Sequence, residues 1–309
     1  MRTESENPLQ TPVALLIFNR PETTARVLAE IRSARPPKLL IIADGPRPGE
    51  PADAERCLAA RAAAENVDWE CEVLKNYSDV NLGCGQRPAS GLDWVFQNAD
   101  RAIILEDDCL PHPTFFRFCD ELLERYRDDQ RVMTVSGNNF QYGVSRTTKS
   151  YYFSRYPHTW GWATWRRAWR LYDYEMRFWP ELRETSWLMD TLGDEQSVEY
   201  WRAIFDKVDS HSDVWDYQWI FSCWVQNALA ILPNVNLISN IGWGENSTHT
   251  RSLDNPSANL PTEAMTFPLA HPPYMARNRE ADKFTLENHF VGWTPNLLRR
   301  LRRRIVGHY

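Results

Sequence analysis

The chain has 309 residues, of which 43% are hydrophobic and 25% are charged, and its formal net charge is −6. This is the composition of an ordinary globular protein with enough apolar residues for a large core. The acidic balance argues against a general nucleic-acid-binding protein, because such a protein needs a basic face. The first ten residues are polar and charged, and no apolar run is long enough to cross a bilayer, so we expect a cytoplasmic protein.

The first half of the chain alternates short apolar runs with helical patterns. This order predicts parallel strands joined by crossover helices. The predicted strands are 13–18, 39–43, 70–74, 101–105 and 132–136, and the predicted helices are 21–34, 52–65, 86–97 and 113–126. Sheets of this kind bind ligands at the carboxyl ends of their strands. Polar residues that directly follow a predicted strand are therefore candidates for a binding site.

The second half is rich in aromatic residues and less regular. It contains most of the 14 tryptophans of the chain. Helices are predicted at 165–172, 179–192, 196–208 and 217–228, and a long loop at 240–277. We expect residues 1–140 and residues 141–290 to form two halves of the same domain, and residues 291–309 to form a basic tail.

The basic tail contains an arginine-rich segment at 299–304, next to leucines and an isoleucine. This pattern fits a solvated terminal helix. It also fits an amphipathic turn in peripheral contact with the inner face of an anionic membrane. The six cysteines include no Cys-x-x-Cys pair and no zinc-finger spacing. We expect all six to be reduced thiols, as is usual in the cytosol.

Three consecutive acids, Glu106, Asp107 and Asp108, follow the apolar strand at 101–105. Adjacent carboxylates repel one another and are costly near a core unless a cation neutralises them. Magnesium and manganese take oxygen ligands, usually one or two carboxylates together with phosphate oxygens. The alternative is a plain helix start, because acids favour a first helical turn and Pro113 suits that position.

The residues around these acids carry a wider pattern: Leu110, Pro113 and Phe115-Phe116 follow them. With this pattern the chain resembles glycosyltransferases of the GT-A fold. It looks most like the branch that contains the inverting N-acetylglucosaminyltransferase I enzymes and related bacterial sugar transferases. The resemblance implies an α/β fold with a mostly parallel central sheet flanked by helices, and a nucleotide-diphosphate sugar, UDP-linked, as donor. It also implies that Asp108 binds Mn²⁺ or Mg²⁺, that Asp107 contacts the ribose, and that Glu106 supports the donor sugar or the metal shell.

Two earlier strand ends agree with this resemblance. The first predicted strand is followed by Arg20, where related transferases place an arginine on the nucleotide, and the second by Asp44, where the family has an aspartate that accepts from the uracil N–H. A guanidinium fork suits phosphate or uracil oxygens, and a carboxylate suits an N–H donor. The alternatives are a surface cap for Arg20 and an Asp-Gly turn for Asp44.

A glycine-containing segment at 81–87 precedes the third predicted helix. Glycines permit close backbone approach, and a helix N-terminus favours an anion. We therefore expect Gly83 and Arg87 to be neighbours of the donor site. The segment contains neither a Walker loop nor a dinucleotide fingerprint.

The segment 158–165 contains three tryptophans around Gly161. The resemblance implies a Gly-Trp stretch that lines the donor sugar and the acceptor. Gly161 would permit close approach, and Trp160 or Trp162 would form an apolar wall. We assign Trp162 to the donor site. The alternative is that the tryptophans belong to the core.

Asp216 is the candidate catalytic base. Inverting transfer needs a carboxylate that removes the proton of the acceptor hydroxyl. The related enzymes have Trp-Asp-Asp-Trp, with the first aspartate as base. This chain has Trp215-Asp216 and Trp219, but Tyr217-Gln218 stand where the family has one aspartate. The alternative role for Asp216 is a helix N-cap.

A late loop at 244–250 is the candidate cover for the diphosphate. In this loop Ser247, Thr248 or His249 would donate to the diphosphate, and we assign Ser247 to the donor site. His249 is either a further metal ligand or an exposed loop residue.

Together these features predict a metal-dependent glycosyltransferase that acts with inversion on a hydroxyl of a glycan, lipid-linked or protein-linked acceptor. Residues 1–140 would form its nucleotide-sugar-binding half, and residues 141–290 its acceptor and catalytic half. Two alternatives stay open. A sugar nucleotidyltransferase would share the sheet and the acids, but it usually has a glycine-rich loop after the first strand, where this chain has Asn19-Arg20-Pro21-Glu22. A non-catalytic glycan-binding protein would use its tryptophans as the sugar platform.

Overall fold

The computed structural model describes residues 9–209, 213–243 and 255–291. Its strands, in chain order, are β1 (Val13–Ile17), β2 (Lys38–Ala43), β3 (Glu72–Tyr77), β4 (Arg101–Glu106), β5 (Cys109–Pro111), β6 (Val132–Ser136), β7 (Tyr151–Ser154), β8 (Trp162–Trp165), β9 (Leu229–Pro233) and β10 (Ile238–Asn240). Eight of them form one sheet in the order β3-β2-β1-β4-β8-β6-β9-β7, and β5 pairs with β10 in a second, antiparallel sheet. Strands β1 to β4 are parallel, whereas β8 runs antiparallel to β4 and β6.

The helices flank this sheet. In chain order they are α1 (Pro21–Ala34), α2 (Pro51–Ala64), α3 (Gly83–Asn98), α4 (Thr114–Arg125), α5 (Arg166–Trp169), α6 (Trp179–Leu182), α7 (Trp187–Leu192), α8 (Glu195–Asp209), α9 (Asp216–Val225) and α10 (Arg279–Thr285), and a π-helical turn follows at Leu286–Phe290. Helices α1 and α2 begin at prolines, whose fixed φ suits a first helical turn. The predicted α/β architecture, a large and mostly parallel mixed sheet flanked by helices, is confirmed.

The sheet is sandwiched between two apolar layers. Alternate residues of β1 point to opposite sides: Leu15 belongs to the apolar layer that contains α1 and α4, whereas Leu16 belongs to the layer that contains α3, α8 and α9. Two-sided burial explains why the strand is apolar throughout. It also places most of the aromatic residues of the second half in the core on one face of the sheet.

All five strands and all four helices predicted in the first half are present. The largest displacement is in β3, predicted at 70–74 and observed at Glu72–Tyr77. This strand lies at the edge of the sheet and is only partly buried, so its apolar pattern is weak.

The second half required corrections. Strands β7, β8, β9 and β10 were not predicted, and the helix expected at 179–192 is two short helices, α6 and α7. The segment expected to be helical at 165–172 begins with the last residue of β8 and continues as the short α5. Strands β7 and β8 are buried at every residue, so neither shows the alternation that identifies a half-exposed strand.

Three further expectations concern the whole chain. All six cysteines are free thiols, as predicted. Within the described ranges, no helix is long and apolar enough to cross a membrane. The arginine-rich segment 299–304 lies outside the described residues.

Candidate functional site

A cleft with a volume of about 890 Å³ opens at the carboxyl edge of the parallel strands. Because β1, β2 and β4 are parallel, the residues that follow them meet at this edge. The first residue of α9 reaches the same cleft from the helical layer. The sequence-predicted site residues that line it include Arg20, Asp44, Glu106, Asp107, Asp108 and Asp216.

Arg20 holds the acidic motif against the end of β1. Its Nη1 lies 3.2 Å from Asp107 Oδ1 and 2.7 Å from Asp108 Oδ2. The other oxygen of Asp107 accepts from the backbone N–H of Phe18 at 3.0 Å. Asp107 is therefore tied to β1 by a charged and a backbone hydrogen bond, and the guanidinium lies between two carboxylates.

The acidic motif carries more negative charge than Arg20 neutralises. Burial, together with the charges of Asp108, Asp107 and Asp216, raises the pKa of Glu106 to about 8. The pKa of Asp107 is raised to about 6, because the effect of burial outweighs the opposing charge of Arg20. Glu106 is therefore largely protonated at neutral pH unless another cation approaches, a perturbation that is typical of functional sites.

This donor set fits a hard divalent cation, because every candidate ligand atom is a carboxylate oxygen. No group of three or more His, Cys, Asp or Glu side chains in the described residues is arranged to hold a metal ion. A magnesium-type site in a phosphate-binding enzyme does not need such a cage, since one or two carboxylates suffice when phosphate oxygens supply other ligands. Asp108 and its neighbours fit a site in which one or two carboxylates share the ion with phosphate oxygens of a ligand.

Asp108 is also packed against residues that the sequence patterns did not indicate. Its Oδ1 lies 3.4 Å from the side-chain nitrogen of Asn240 at the end of β10, and its backbone oxygen accepts from Ile241 N–H at 2.8 Å. Gly242 follows, and a Cβ added there would lie 2.7 Å from the Asp108 Cγ. The strand β10 thus brings a glycine over the carboxylate. No motif in the sequence links residue 242 to residue 108.

Asp44 lines the cleft but uses its carboxylate to organise a loop. Oδ1 accepts from Gly45 N–H at 2.9 Å, and both oxygens accept from Leu82 N–H, at 2.9 and 3.2 Å. Oδ2 also accepts from Gly83 N–H and from the Asn81 side chain, each at 3.0 Å. Four donors fill the capacity of one carboxylate. The structure therefore gives Asp44 a positioning role for residues 81–83 and leaves little capacity for a uracil N–H.

The N-terminus of α3 is occupied by a side chain that the sequence interpretation missed. Asp213 accepts from Gly85 N–H at 2.6 Å and from Cys84 N–H at 3.1 Å. The anion at the N-terminus of α3 is therefore the carboxylate of Asp213 and not a group of a bound ligand. Gly83 and Arg87 do line the cleft, but Arg87 donates to both oxygens of Asn76. Nothing in the sequence connects Asp213 with a helix that begins 130 residues earlier.

The expected role of Trp162 is not supported by its position. Trp162 is 1% exposed and packs in the core, with its ring centroid 5.7 Å from Trp215 and 5.5 Å from Trp219. Of the tryptophans that the structure describes, Trp160 and Trp215 line the cleft and Trp162 does not. Alternation along β8 turns Trp162 towards the helical layer, which the core alternative had anticipated.

Asp216 is the first residue of α9, and its Oδ1 accepts from Tyr217 N–H at 3.0 Å. Its charge contributes to the raised pKa of Glu106, so the two carboxyl groups share one electrostatic environment. Trp215 occupies the N-cap position of α9 and no side-chain cap is formed, so the alternative role of Asp216 as an N-cap is not found. Asp216 lines the cleft, which is the placement that a base needs.

Ser247, Thr248 and His249, the residues expected to cover the diphosphate, lie outside the described residues. Comparison of the sequence with protein-family models and with curated proteins finds no match.

Proposed function

We propose that the protein is a metal-dependent glycosyltransferase of the GT-A type that uses a nucleotide-diphosphate sugar. The observation that carries this proposal is the meeting of the three acids, Arg20 and Asp216 in one cleft at the carboxyl edge of a parallel sheet. Such an edge is the usual binding place for nucleotides in open α/β sheets. The cleft is also large enough for a ligand of that size.

In this proposal the diphosphate of the donor lies beside Asp108. Asp108 would hold Mn²⁺ or Mg²⁺, with Asp107 or Glu106 beside it, and when bound the ion supplies charge neutralisation for the leaving diphosphate. Arg20 bridges Asp107 and Asp108 through Nη1, and the other N–H donors of its guanidinium would be the ones to bind a phosphate oxygen. The nucleoside then extends towards the 81–83 loop that Asp44 holds.

Asp216 is the proposed base. Its carboxylate takes the proton of the acceptor hydroxyl while that oxygen forms a bond to the anomeric carbon, and the bond from that carbon to the diphosphate breaks. One displacement of this kind inverts the anomeric configuration. The acceptor in this proposal is a hydroxyl of a glycan, either lipid-linked or protein-linked.

The start of α1 favours sugar transfer over nucleotidyl transfer. Strand β1 ends at Ile17 and α1 begins at Pro21, so three residues connect them. This short connection contains no glycine, whereas a nucleotidyltransferase usually wraps a longer glycine-rich loop around a triphosphate at this place.

Donor binding tests the first part of the proposal. We expect a UDP-hexose with Mn²⁺ to stabilise the protein against heat, by about 2.7 kcal/mol at one hundred times Kd. In Asp108→Asn the Mn²⁺-dependent part of this stabilisation should be lost, whereas Asp128→Asn, at an exposed acid that does not line the cleft, should behave like the native protein. Equal Mn²⁺-dependent stabilisation of both variants would contradict the metal assignment.

Transfer activity tests the second part. Asp216→Asn should keep donor binding and lose roughly 10²- to 10⁴-fold in transfer rate, because only general-base assistance is removed. The exposed Asp209→Asn in α8 is the matched control. Unchanged transfer by Asp216→Asn would show that another group takes the proton.

A further inference from the structure

The cleft has a second compartment beside the acidic motif. Its floor is formed by the residues that follow β6 and by those that precede β8. Because β8 is antiparallel to both β4 and β6, its start lies at the same edge as their ends. Gly137 N–H donates to the Gly161 carbonyl at 2.7 Å and joins the two segments. This compartment lies two strands along from Glu106 in the sheet order.

The floor of this compartment carries buried polar atoms without partners. Asn138 is 1% exposed, and in the described parts of the chain neither its Nδ2 nor its Oδ1 makes a hydrogen bond. The adjacent Asn139 is also buried, but both ends of its carboxamide have hydrogen-bond partners. Its Nδ2 donates to Pro233 O at 2.6 Å, and its Oδ1 accepts from Gln141 N–H at 2.7 Å. Unmade hydrogen bonds at a buried carboxamide are costly, and native proteins rarely keep them without a reason.

His158 adds a third polar atom to the compartment. It is 4% exposed, its Nε2 has no hydrogen-bond partner among the described residues, and it lines the cleft together with Asn138. Burial lowers the pKa of His158, and the neighbouring His289 lowers it further; burial lowers the pKa of His289 to about 3. Both rings are therefore neutral at physiological pH, so the floor offers hydrogen bonds without a charge.

The walls of the compartment are aromatic. Phe140 lies edge-on to Trp160 with ring centroids 5.2 Å apart, and it stacks on His289 at 3.5 Å. Trp160, Phe140, His289 and Phe290 all line the cleft. Aromatic walls above a neutral, hydrogen-bonding floor suit a ligand that has an apolar face and polar edges.

We propose that this compartment binds two adjacent free hydroxyls of a pyranose ring. The Nδ2 of Asn138 donates to one hydroxyl oxygen, and its Oδ1 accepts from the neighbouring hydroxyl. The Nε2 of His158 bonds to the same edge of the ring, and the apolar face of the ring rests on Trp160. An acetamido group cannot replace one of the two hydroxyls equally well, because its N–H and C=O point to opposite sides and cannot both meet one edge of a carboxamide. An N-acetylhexosamine would meet this floor through two adjacent hydroxyls that it retains.

This inference rests on the proposed function in one respect only: the pyranose is either the transferred sugar or the acceptor sugar of that reaction. The compartment adjoins the acids that are proposed to hold the diphosphate. Either the sugar of the donor or the sugar of the acceptor would therefore lie in it. The recognising chemistry is the same for the two, and binding measurements separate them.

The test compares Asn138→Leu with the native protein. Leucine has the same branched shape, with methyl groups in place of Nδ2 and Oδ1, and it has no unmet hydrogen bonds. We therefore expect the melting temperature to be equal or higher, whereas Asn139→Leu should lower it. UDP should bind both proteins equally. If the sugar is the donor's, UDP-glucose or UDP-galactose should bind Asn138→Leu roughly 10- to 100-fold more weakly, as expected for lost buried hydrogen bonds. If the sugar is the acceptor's, donor binding is unchanged and the affinity for methyl hexopyranosides falls by that factor.

Deoxy sugars give a second measurement. A deoxy analogue of the UDP-hexose or methyl hexopyranoside that lacks one of the two adjacent hydroxyls should bind the native protein more weakly than the complete sugar, and Asn138→Leu should discriminate less between the two. Failure of the native protein to bind UDP or UDP-sugars, with Asn138-dependent binding of methyl glycosides retained, would overturn the proposed function and leave this inference standing. Unchanged affinity of a folded Asn138→Leu for both UDP-hexoses and methyl hexopyranosides, or binding of neither kind of sugar by the native protein, would overturn the inference itself.

Discussion

Glu106 allows a direct test of the electrostatics of the cleft. The substitution Glu106→Gln removes a carboxyl group whose pKa is raised to about 8 by burial and by its acidic neighbours. A group with a raised folded pKa holds its proton more tightly in the folded state. The native protein therefore loses stability as the pH rises from about 4.5 to about 8, where the unfolded chain gives up that proton first.

The size of the effect follows from the pKa difference. One pKa unit corresponds to about 1.4 kcal/mol, so the full separation sets a ceiling near ~5 kcal/mol. The side chain is partly exposed to the cleft and shares its environment with Asp107 and Asp108, which lowers the expected value. We expect Glu106→Gln to be more stable than the native protein by about 1 to 2 kcal/mol at pH 8. At pH 5 the difference should nearly vanish.

Urea denaturation at pH 5 and pH 8, with a chelator present, measures this difference. Glu181→Gln, an exposed position in α6, is the control and should show no pH-dependent difference from the native protein. The reasoning is refuted if Glu106→Gln is less stable than the native protein at pH 8, or if the gain is the same at both pH values. When Mn²⁺ replaces the chelator, the native protein should recover more stability than the variant, because a cation removes the repulsion that the substitution relieved.

Three further variants test the supporting structure. Asp213→Ala should lower the free energy of unfolding by about 1 to 2 kcal/mol in urea denaturation, because the amides at the start of α3 lose their acceptor, and an unchanged value would contradict that capping role. Gly242→Ala should reduce Mn²⁺-dependent thermal stabilisation, since the added Cβ would displace the Asp108 carboxylate; equal stabilisation would mean that the loop yields without moving Asp108. Trp162→Phe should cost about 1 to 3 kcal/mol of stability and leave UDP binding unchanged, whereas a selective loss of UDP binding would return Trp162 to the cleft.

The first half of the fold could be predicted from the sequence because its signals are local. A continuous apolar run such as β4 must be covered on both faces, and proline at the start of α1 marks a helix start without reference to the rest of the chain. Parallel order then places Arg20 and the three acids at one edge of the sheet. These residues were therefore within reach of sequence reasoning.

The second half could not be predicted in the same way. Every residue of β7 and β8 is buried and most are aromatic or apolar, so their sequences do not distinguish a core strand from a core helix. Their pairing partners are distant in the chain, and only the assembled sheet turns Trp162 inwards while Trp160 lines the cleft.

The roles of individual side chains were decided by contacts between distant segments. The sequence by itself determined that carboxylates and an arginine would follow the strands of an α/β sheet, because strand order and residue type are local properties. Only the tertiary structure decided that Asp44 is taken up by the 81–83 loop, that Asp213 occupies the start of α3, and that Asn138 is left without partners at the base of the cleft. Hydrogen-bond capacity is a property of a residue type, but whether it is used depends on neighbours that folding brings together.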